Sequence, residues 1–243
     1  MGIGRKSNDM YIFNSRIRYS ECDGDCRLTV PALVNYFQDV STFQSEDLGV
    51  GFAYLEPKDM VWVLAAWQIE IKRLPQIGEE VEVGTLPYEF KGFMGLRNFC
   101  MRTKEGEMLA VANSQWTLLN TKTFKPERPT EEMLAAYVLE PKMEMNYTVR
   151  KVSMPQEMEQ MESFEVVKSH LDSNNHVNNG QYIAMAAAYV PEDFATGSLR
   201  AEYKMQAHLG DVMVPHVGKT DTGVTVSLRS PEGSVYCNVE FAV

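Results

Sequence analysis

Strict alternation of apolar and polar residues marks the clearest strand in the chain, residues 67–72. Successive side chains of a β-strand point to opposite faces, so Trp67, Ile69 and Ile71 share one face. The polar residues between them share the other. The pattern therefore predicts a strand with one apolar and one polar face.

A different spacing, with apolar residues three and four positions apart, runs through residues 31–46 and predicts an amphipathic helix. Thr29 and Pro31 are typical of helix starts. The apolar stripe needs a surface to cover, and the alternating strands supply one. The stripe consists of Leu33, Val34, Phe37, Val40 and Phe43.

The same order of patterns occurs twice, which indicates an internal repeat. In the first half "RYSECDGDCRLTVPALVNYF" passes from a strand through an acidic turn into a helix, and "VKSHLDSNNHVNNGQYIAMA" does so in the second. Both halves then contain a strand followed by Gly and an acidic residue. Both also contain a hairpin with the pattern Arg-x-x-Glu-Gly. The equivalent pairs are Asp23 and Asp172, Gly78 and Gly210, and Arg102 and Arg229.

Each half thus predicts one long helix packed on an antiparallel sheet, and the whole chain an α+β fold of two tandem units. Residues 121–163, between the halves, are rich in proline and charge, and Thr130 followed by two glutamates predicts a short capped helix there. We place the domain boundary near residue 145, between an N-terminal unit of residues 1–145 and a C-terminal unit of residues 146–243.

The first half is longer than the second between its helix and its next strand. The additional residues fall around "VGFAYLEPKDMVWVLAAW", which is rich in aromatic and aliphatic side chains. Two interpretations stay open at this point, since such an insertion can line a pocket or simply cover the core.

Composition narrows the class of protein. An apolar content of 44% suffices for a core, and a net charge of −10 from 23 basic and 33 acidic residues opposes binding to nucleic acid. No segment reaches the roughly 18 uninterrupted apolar residues of a membrane span. The sequence "MGIGRKSNDMYIF" lacks the apolar core of a secretory signal, so we expect a cytoplasmic protein.

Cysteine and histidine usage argues against a bound metal. Four cysteines are too few for a disulfide framework, and no second Cys or His pair completes a zinc site. His170, Asp172 and His176 could be metal ligands, but no further strong ligand lies nearby, which disfavours a metal there as well. His208 and His216 have no acid–base context in the sequence and are expected to be ordinary residues.

The candidate chemistry lies in "SHLDSNNHVNNGQY". On an extended segment Asp172, Asn174 and His176 would share one face, just before a helix that begins near Asn178 or Asn179. Free backbone N–H groups at Asn179 and Gly180 could polarise a carbonyl oxygen, and a carboxylate beside an imidazole could activate water. These parts suit hydrolysis or hydration of a carbonyl compound.

The alternative is a turn and helix cap, because Asp and Asn side chains commonly bind nearby backbone N–H groups. The first half argues against capping alone. There, the positions equivalent to Asn174 and His176 hold Asp25 and Arg27. Only the second half carries the complete polar set.

The segment "LDSNNHVNNGQYI" resembles the Asp-x-Asn-x-His-Val-Asn-Asn-x-x-Tyr signature of acyl-acyl carrier protein (acyl-ACP) thioesterases. The resemblance extends over residues 11–243 and includes "RLPQIGEEVEV" and "FKGFMGLRNF". It implies two tandem hotdog folds, hydrolysis of a fatty acyl thioester on the carrier's phosphopantetheine arm, and no cofactor. It also implies catalysis in the second repeat by Asp172, Asn174 and His176, and an acyl tunnel shaped largely by the first.

One position departs from that family's pattern. The plant enzymes carry a water-binding Glu on the next strand, where "EYKMQAHLG" has Gln206. Glutamine can orient water but cannot take its proton, so the duty of the base would fall on Asp172 or His176.

Substrate and partner expectations follow from the resemblance. Trp62, Trp67 and Met94 are expected to shape the acyl pocket. Because carrier proteins are acidic, a local basic patch is needed, and the candidates are Lys91, Arg97 and Lys204.

Several alternatives remain open from the sequence. They are an acyl-CoA thioesterase, a hotdog hydratase acting on a 2-enoyl thioester, and a non-catalytic acyl-binding module. A homodimer is compatible with the sequence, although two fused hotdog folds already supply the pairing that single-repeat relatives achieve by dimerising.

Overall fold

The computed structural model describes residues 10–243. The longest helix is α1 (Val30–Asp47), and the others are α2 (Phe52–Leu55), α3 (Glu131–Ala136) and α4 (Asn179–Ala187). The strands are β1 (Tyr11–Arg16), β2 (Met60–Ile71), β3 (Glu80–Lys91), β4 (Met94–Thr103), β5 (Met108–Asn120), β6 (Glu159–Gln160), β7 (Phe164–Glu165), β8 (Ser198–Tyr203), β9 (Val212–Lys219), β10 (Gly223–Arg229) and β11 (Val235–Ala242).

All strands join one antiparallel sheet in the order β1-β3-β4-β5-β2-β8-β11-β10-β9-β6, with β7 paired to β9. Strands β1 to β5 belong to the first repeat and β6 to β11 to the second. The repeats meet where β2 pairs with β8, from Ala66 opposite Glu202 to Glu70 opposite Ser198. The predicted α+β fold of two helix-on-sheet units is confirmed, and the two units share a continuous sheet.

Helix α1 covers the first half of this sheet, as its apolar stripe predicts. Thr29 caps it by accepting a hydrogen bond from the Ala32 N–H at 3.3 Å. Phe37 in the stripe is fully buried and lies 5.4 Å from Phe99, centroid to centroid. The last residue of the predicted stripe, Phe43, is instead 40% exposed because it lies at the edge of the helix–sheet contact.

Helix α4 is shorter and packs directly against α1. A Cβ atom on Gly180 would lie 2.3 Å from Asn35 Oδ1, which is closer than real Cβ contacts. Glycine at this position therefore permits the two helices to approach. This contact brings the start of α4 against the middle of α1.

The internal repeat is visible in backbone geometry as well as in sequence. Gly78 and Gly210 both adopt positive φ, 80° and 83°, at the turn before an outer strand. Such angles favour glycine because it has no Cβ. The equivalence of these two positions is confirmed.

The connection between the repeats crosses the polar face of the sheet. The Thr148 N–H donates to Gln68 Oε1 at 3.0 Å, and Arg200 Nη2 donates to the carbonyls of Val149 and Lys151 at 2.7 and 2.8 Å. The polar face predicted for the strand at residues 67–72 thus holds the linker. The boundary near residue 145 lies in this connection and stays a prediction.

The capped helix predicted in the linker region is α3. Thr130 Oγ1 accepts the Met133 N–H at 3.2 Å, and the two glutamates follow in the first turn. Met133 is fully buried, in a small apolar cluster with Leu55, Leu118 and Tyr137. The helix therefore closes one end of the first repeat.

Candidate active site

An open cavity of about 2190 Å³ lies between the repeats. One side is formed by α1 and the first residues of β2, and the other by the polar stretch 169–182 and the end of β8. The insertion of the first half contributes Phe52, Leu55, Trp62 and Leu64 to its wall. The insertion therefore does both of the things considered for it, since it lines a pocket and its Leu55 and Leu64 are also buried in the core.

Asp172 organises a tight turn at the cavity wall. Its Oδ1 accepts the N–H of Asn174 at 2.8 Å and of His176 at 3.3 Å. The Asp172 N–H donates to the His176 carbonyl at 2.8 Å, and Asn175 has φ of 59°. The expected extended segment is therefore wrong, because the Asp172 side chain folds the backbone into a turn.

The first repeat contains the same turn. Asp23 Oδ1 accepts the N–H of Asp25 at 3.0 Å and of Arg27 at 2.9 Å, and Cys26 has φ of 60°. Asp23 and Asp172 thus share a structural task. The residues that distinguish the second repeat chemically are Asn174 and His176, which replace Asp25 and Arg27.

Helix α4 begins where the sequence predicts it, but with one donor already in use. Asn178 Oδ1 caps the helix by accepting the Gly180 N–H at 2.8 Å. The expectation that the Gly180 N–H binds a carbonyl oxygen is therefore wrong. The Asn179 N–H has no hydrogen-bond partner in residues 10–243, and Asn179 is one of the residues that line the cavity.

Asn179 is held from two sides. Its Nδ2 donates to Gln38 Oε1 on α1 at 3.0 Å, and its carbonyl accepts from the Tyr203 hydroxyl on β8 at 3.0 Å. The first repeat therefore helps to position the N-terminus of the helix in the second. A fixed donor needs no reorganisation when it binds developing negative charge.

Gln206 also lines the cavity, but from the loop after β8 rather than from a strand. Its neighbour Ala207 anchors that loop, donating its N–H to the Tyr182 hydroxyl at 2.9 Å and accepting the Val177 N–H at 2.9 Å. Strand pairing ends at Tyr203, so Gln206 is exposed and faces the same cavity as Asp172, Asn174 and His176.

His208 lies beside His176, a contact that the sequence analysis missed. The two rings are 4.9 Å apart between centroids and nearly perpendicular, at 77°. Burial and the His208 ring lower the pKa of His176 from its ordinary 6.5, against a smaller opposing effect of Asp172. The His176 imidazole is therefore neutral at pH 7 and able to accept a proton.

The first repeat contains the equivalent contact. In the first half Arg27 forms an isolated bridge with Gln76. Because Gly78 is equivalent to Gly210, Gln76 is equivalent to His208, just as Arg27 is equivalent to His176. The two equivalences together place His176 beside His208.

Only one of the three expected pocket residues lies in the cavity wall. Trp62 does, whereas Trp67 is 2% exposed and packs edge-on against Phe99 at 4.9 Å. Met94 starts β4 and lies outside the wall. Trp67 belongs to the helix-facing side of β2, so α1 buries it.

The expected basic patch is also partly wrong. Arg97 is only 8% exposed and lines the interior of the cavity, because its β4 position faces α1. Lys91 and Lys204 are exposed, and Lys204 lines the cavity, 3.4 Å from Glu202.

Residues 10–243 contain no group of three or more His, Cys, Asp or Glu side chains arranged to hold a metal ion. None of the helices in the same residues is long and apolar enough to cross a membrane.

Two fused hotdog folds with one polar site at their junction define the class of this protein. Its residues 8–137 match the family profile of the acyl-ACP thioesterase N-terminal domain, and residues 153–240 match that of the C-terminal domain. The chain belongs to the acyl-ACP thioesterase family.

Plant relatives carry the similarity in sequence. The chain is 29% identical over 213 residues to the acyl-[acyl-carrier-protein] hydrolase FATB3 of Cuphea viscosissima, covering 81% of this chain and 52% of that protein. It is 25% identical over 235 residues to the oleoyl-acyl carrier protein thioesterase 2 of Arabidopsis thaliana, covering 87% and 64%. The chain thus spans about half to two thirds of these relatives.

Solved structures carry the similarity in fold. An acyl-ACP thioesterase from Bacteroides thetaiotaomicron superimposes with a TM-score of 0.87 at 21% identity, covering 96% of this chain and 97% of that one. The 12:0-ACP thioesterase of Umbellularia californica gives 0.81 at 20% identity, covering 96% of both. The double hotdog architecture is shared along the chain.

Proposed function

We propose that this protein hydrolyses the thioester of fatty acyl-ACP and releases a free fatty acid, in fatty acid biosynthesis. One observation carries the proposal. In a chain whose two halves both match the acyl-ACP thioesterase family, a polar turn with Asn174 and His176 opens on the inter-repeat cavity, and its first-repeat counterpart has neither residue.

The reaction needs a polarised carbonyl, a positioned water and a base. The Asn179 N–H binds the thioester oxygen, and the positive end of the α4 dipole adds to this. Asn174 and Gln206 hold the water by hydrogen bonds. His176 takes a proton from that water, because its lowered pKa keeps it neutral at pH 7.

The covalent steps balance without a cofactor. The water oxygen bonds to the thioester carbon, the C–S bond breaks, and the proton held by His176 passes to the departing sulfur. The products are a fatty acid and the carrier's free thiol. Asp172 supports this chemistry by holding the turn that presents Asn174 and His176.

The test is thiol release from an acyl-ACP substrate by wild type, His176→Ala and Asn174→Ala. We expect each variant to lose about 10²-fold or more in turnover. The matched control is Arg27→Ala, which changes the first-repeat position equivalent to His176 and is expected to keep full turnover. No thiol release by wild type from any acyl-ACP would reject the proposal.

Parallel substrates separate the alternatives. Faster thiol release from acyl-CoA indicates an acyl-CoA thioesterase. Loss of enoyl absorbance without thiol release indicates a hydratase. Co-purified fatty acid with no thiol release at any chain length indicates an acyl-binding module.

The proposed partner is an acidic acyl carrier protein. Exposed Lys204 and Arg150 both line the cavity and supply positive charge against the overall charge of −10. The four free cysteines fit a reducing compartment, and we propose the cytoplasm. The pairing of β2 with β8 already joins two hotdog folds, so one chain can form the complete site.

A further inference from the structure

The first residue of helix α4, Asn179, is held through both its side chain and its main chain. Its Nδ2 donates to Gln38 Oε1 on α1 at 3.0 Å, and its carbonyl accepts from the Tyr203 hydroxyl on β8 at 3.0 Å. Its N–H donates to no atom of residues 10–243. The donor assigned to the thioester oxygen is therefore open, while the rest of the residue is tied down.

The two peptide groups that flank the Asn179 Cα atom are also fixed. On one side the Asn178 carbonyl accepts the Gln181 N–H at 2.9 Å. On the other side the peptide group is bonded at both ends, since Tyr203 binds its carbonyl and Asn178 Oδ1 accepts the Gly180 N–H at 2.8 Å. Because peptide groups are planar, these bonds also set the direction of the Asn179 N–H.

Gln38 supplies the bond that comes from the other repeat. It lies 141 positions before Asn179 in the chain, is half-buried, and lines the cavity. Its Nε2 lies 3.5 Å from Asn35 Oδ1, one turn earlier on α1, which orients the amide with its oxygen towards α4. The side chain is thus held in the position that the contact with Asn179 requires.

The first repeat shows what this helix start looks like without such contacts. The Thr29 N–H donates to the Glu21 carbonyl and the Asn178 N–H to the His170 carbonyl, both at 2.9 Å, so the two turns match bond for bond. The equivalences given by the paired turns and by Gly78 and Gly210 extend to the residues around Asn179. The equivalent pairs are Val30 and Asn179, Ala187 and Gln38, and Ile71 and Tyr203.

All three counterparts are apolar, so none of them can form a side-chain hydrogen bond. Helix α1 nevertheless begins with the same kind of turn and with a capping residue, Thr29. The turn and the helix start therefore form without a polar contact between the repeats. Its presence only at the catalytic side indicates a purpose in the chemistry rather than in folding.

We propose that Gln38 is a positioning residue for thioester hydrolysis, which holds the Asn179 side chain and thereby aligns the Asn179 N–H with the thioester oxygen. A donor that is already in place stabilises developing negative charge without reorganisation. A loosely held donor still permits substrate binding, but it stabilises the transition state less, so the loss falls on kcat. This inference rests on the proposed hydrolysis and makes the first repeat part of the catalytic apparatus.

The experiment measures kcat and KM separately for thiol release from an acyl carrier. Gln38→Met keeps the length of the side chain without an acceptor, and Asn179→Ala removes the side-chain donor while retaining the main-chain N–H. The double variant combines both. The matched control is Gln115→Met, the same change at a half-buried glutamine of β5 that lies outside the cavity wall. Thermal melting of every variant monitors folding.

We expect each single variant to lower kcat about tenfold and to change KM by less than about twofold, because one hydrogen bond that acts in the transition state is lost. The double variant should be no slower than the slower single variant, since both substitutions remove the same contact. Gln115→Met should keep the wild-type values. Wild-type kcat in a folded Gln38→Met protein would overturn the proposal, as would losses that multiply in the double variant.

Asn179→Ala tests the same contact from its other end and stands even if Gln38→Met does not fold. A lowered kcat with an unchanged KM supports the role of Gln38, and wild-type kcat contradicts it. Absence of thiol release by wild type from every acyl carrier would reject the proposed function and this inference with it. That result is distinct from equal rates in wild type and variants, which would reject the inference alone.

Discussion

The paired turns at Asp23 and Asp172 allow structure and catalysis to be separated within one molecule. Each aspartate accepts two backbone N–H groups through Oδ1, with donor–acceptor distances between 2.8 and 3.3 Å. Replacing either by alanine removes both acceptors. Hence Asp23→Ala and Asp172→Ala should destabilise the protein to a similar extent, and only the second should strongly lower turnover.

The size of the structural effect follows from this geometry. Losing a side-chain acceptor for backbone N–H groups typically costs about 0.5 to 2 kcal/mol, and solvent access to both turns places these variants in that range rather than above it. Since 1 kcal/mol shifts the melting temperature of a protein of this size by about 2–4 °C, we expect each variant to melt roughly 1 to 8 °C lower.

The assay combines thermal melting with thiol release from an acyl carrier. Asp172→Ala should lose about 10²-fold or more in turnover, because Asn174 and His176 lose their positions. Asp23→Ala should retain turnover at temperatures where it is folded. Asp172→Asn keeps an oxygen acceptor for the turn, so it should melt close to wild type and isolate the contribution of the charge.

Two results would refute the reasoning. Equal loss of turnover in Asp23→Ala and Asp172→Ala would mean that the repeats are not chemically distinct. Melting of Asp172→Asn as low as that of Asp172→Ala would mean that the acceptor bonds do not stabilise the turn.

Three further predictions concern other parts of the site. Because the pKa of His176 is lowered, kcat/KM should fall only as the pH drops through a value below 6.5. His208→Gln removes a neighbour that lowers this pKa, so the acid limb of the pH profile should move to higher pH. A pH profile that does not move contradicts the role of His208. Gln206→Ala should lower kcat about tenfold through loss of a hydrogen bond to water, as measured by steady-state thiol release. A variant that keeps the wild-type kcat would exclude Gln206 from the mechanism. Gly180→Ala should destabilise the protein by about 1–3 kcal/mol, since the new Cβ would lie 2.3 Å from Asn35 Oδ1. Denaturant unfolding measures this loss, and adding Asn35→Ala to the same chain should recover part of it.

The sequence predicted the elements near the site because their signals are local. Thr29, Thr130 and Asn178 each cap the helix that follows, through side-chain bonds spanning two or three residues. Alternation in residues 67–72 predicted which face of β2 is buried. The repeat extended these local signals to the whole chain, since each equivalence constrained two places at once.

A local pattern gave a wrong prediction where the same residues can form either a strand or a turn. The alternation of Asp172, Asn174 and His176 is compatible with an extended strand, but a short polar side chain can bind the backbone two residues ahead. That bond forms here, and it also forms at Asp23, where nothing catalytic is present. The turn, rather than strand alternation, determines where Asp172, Asn174 and His176 lie relative to one another.

What the sequence determined by itself was the identity, order and duplication of the helices, strands and turns, since these depend on residues close together in the chain. The tertiary structure decided what surrounds each side chain. Arg97 is charged yet buried, because β4 faces α1; Trp67 packs in the core rather than in the cavity wall; and His208 meets His176 across two loops. These environments are created by elements that lie far apart in sequence, so their physical chemistry appears only once the sheet and helices have packed.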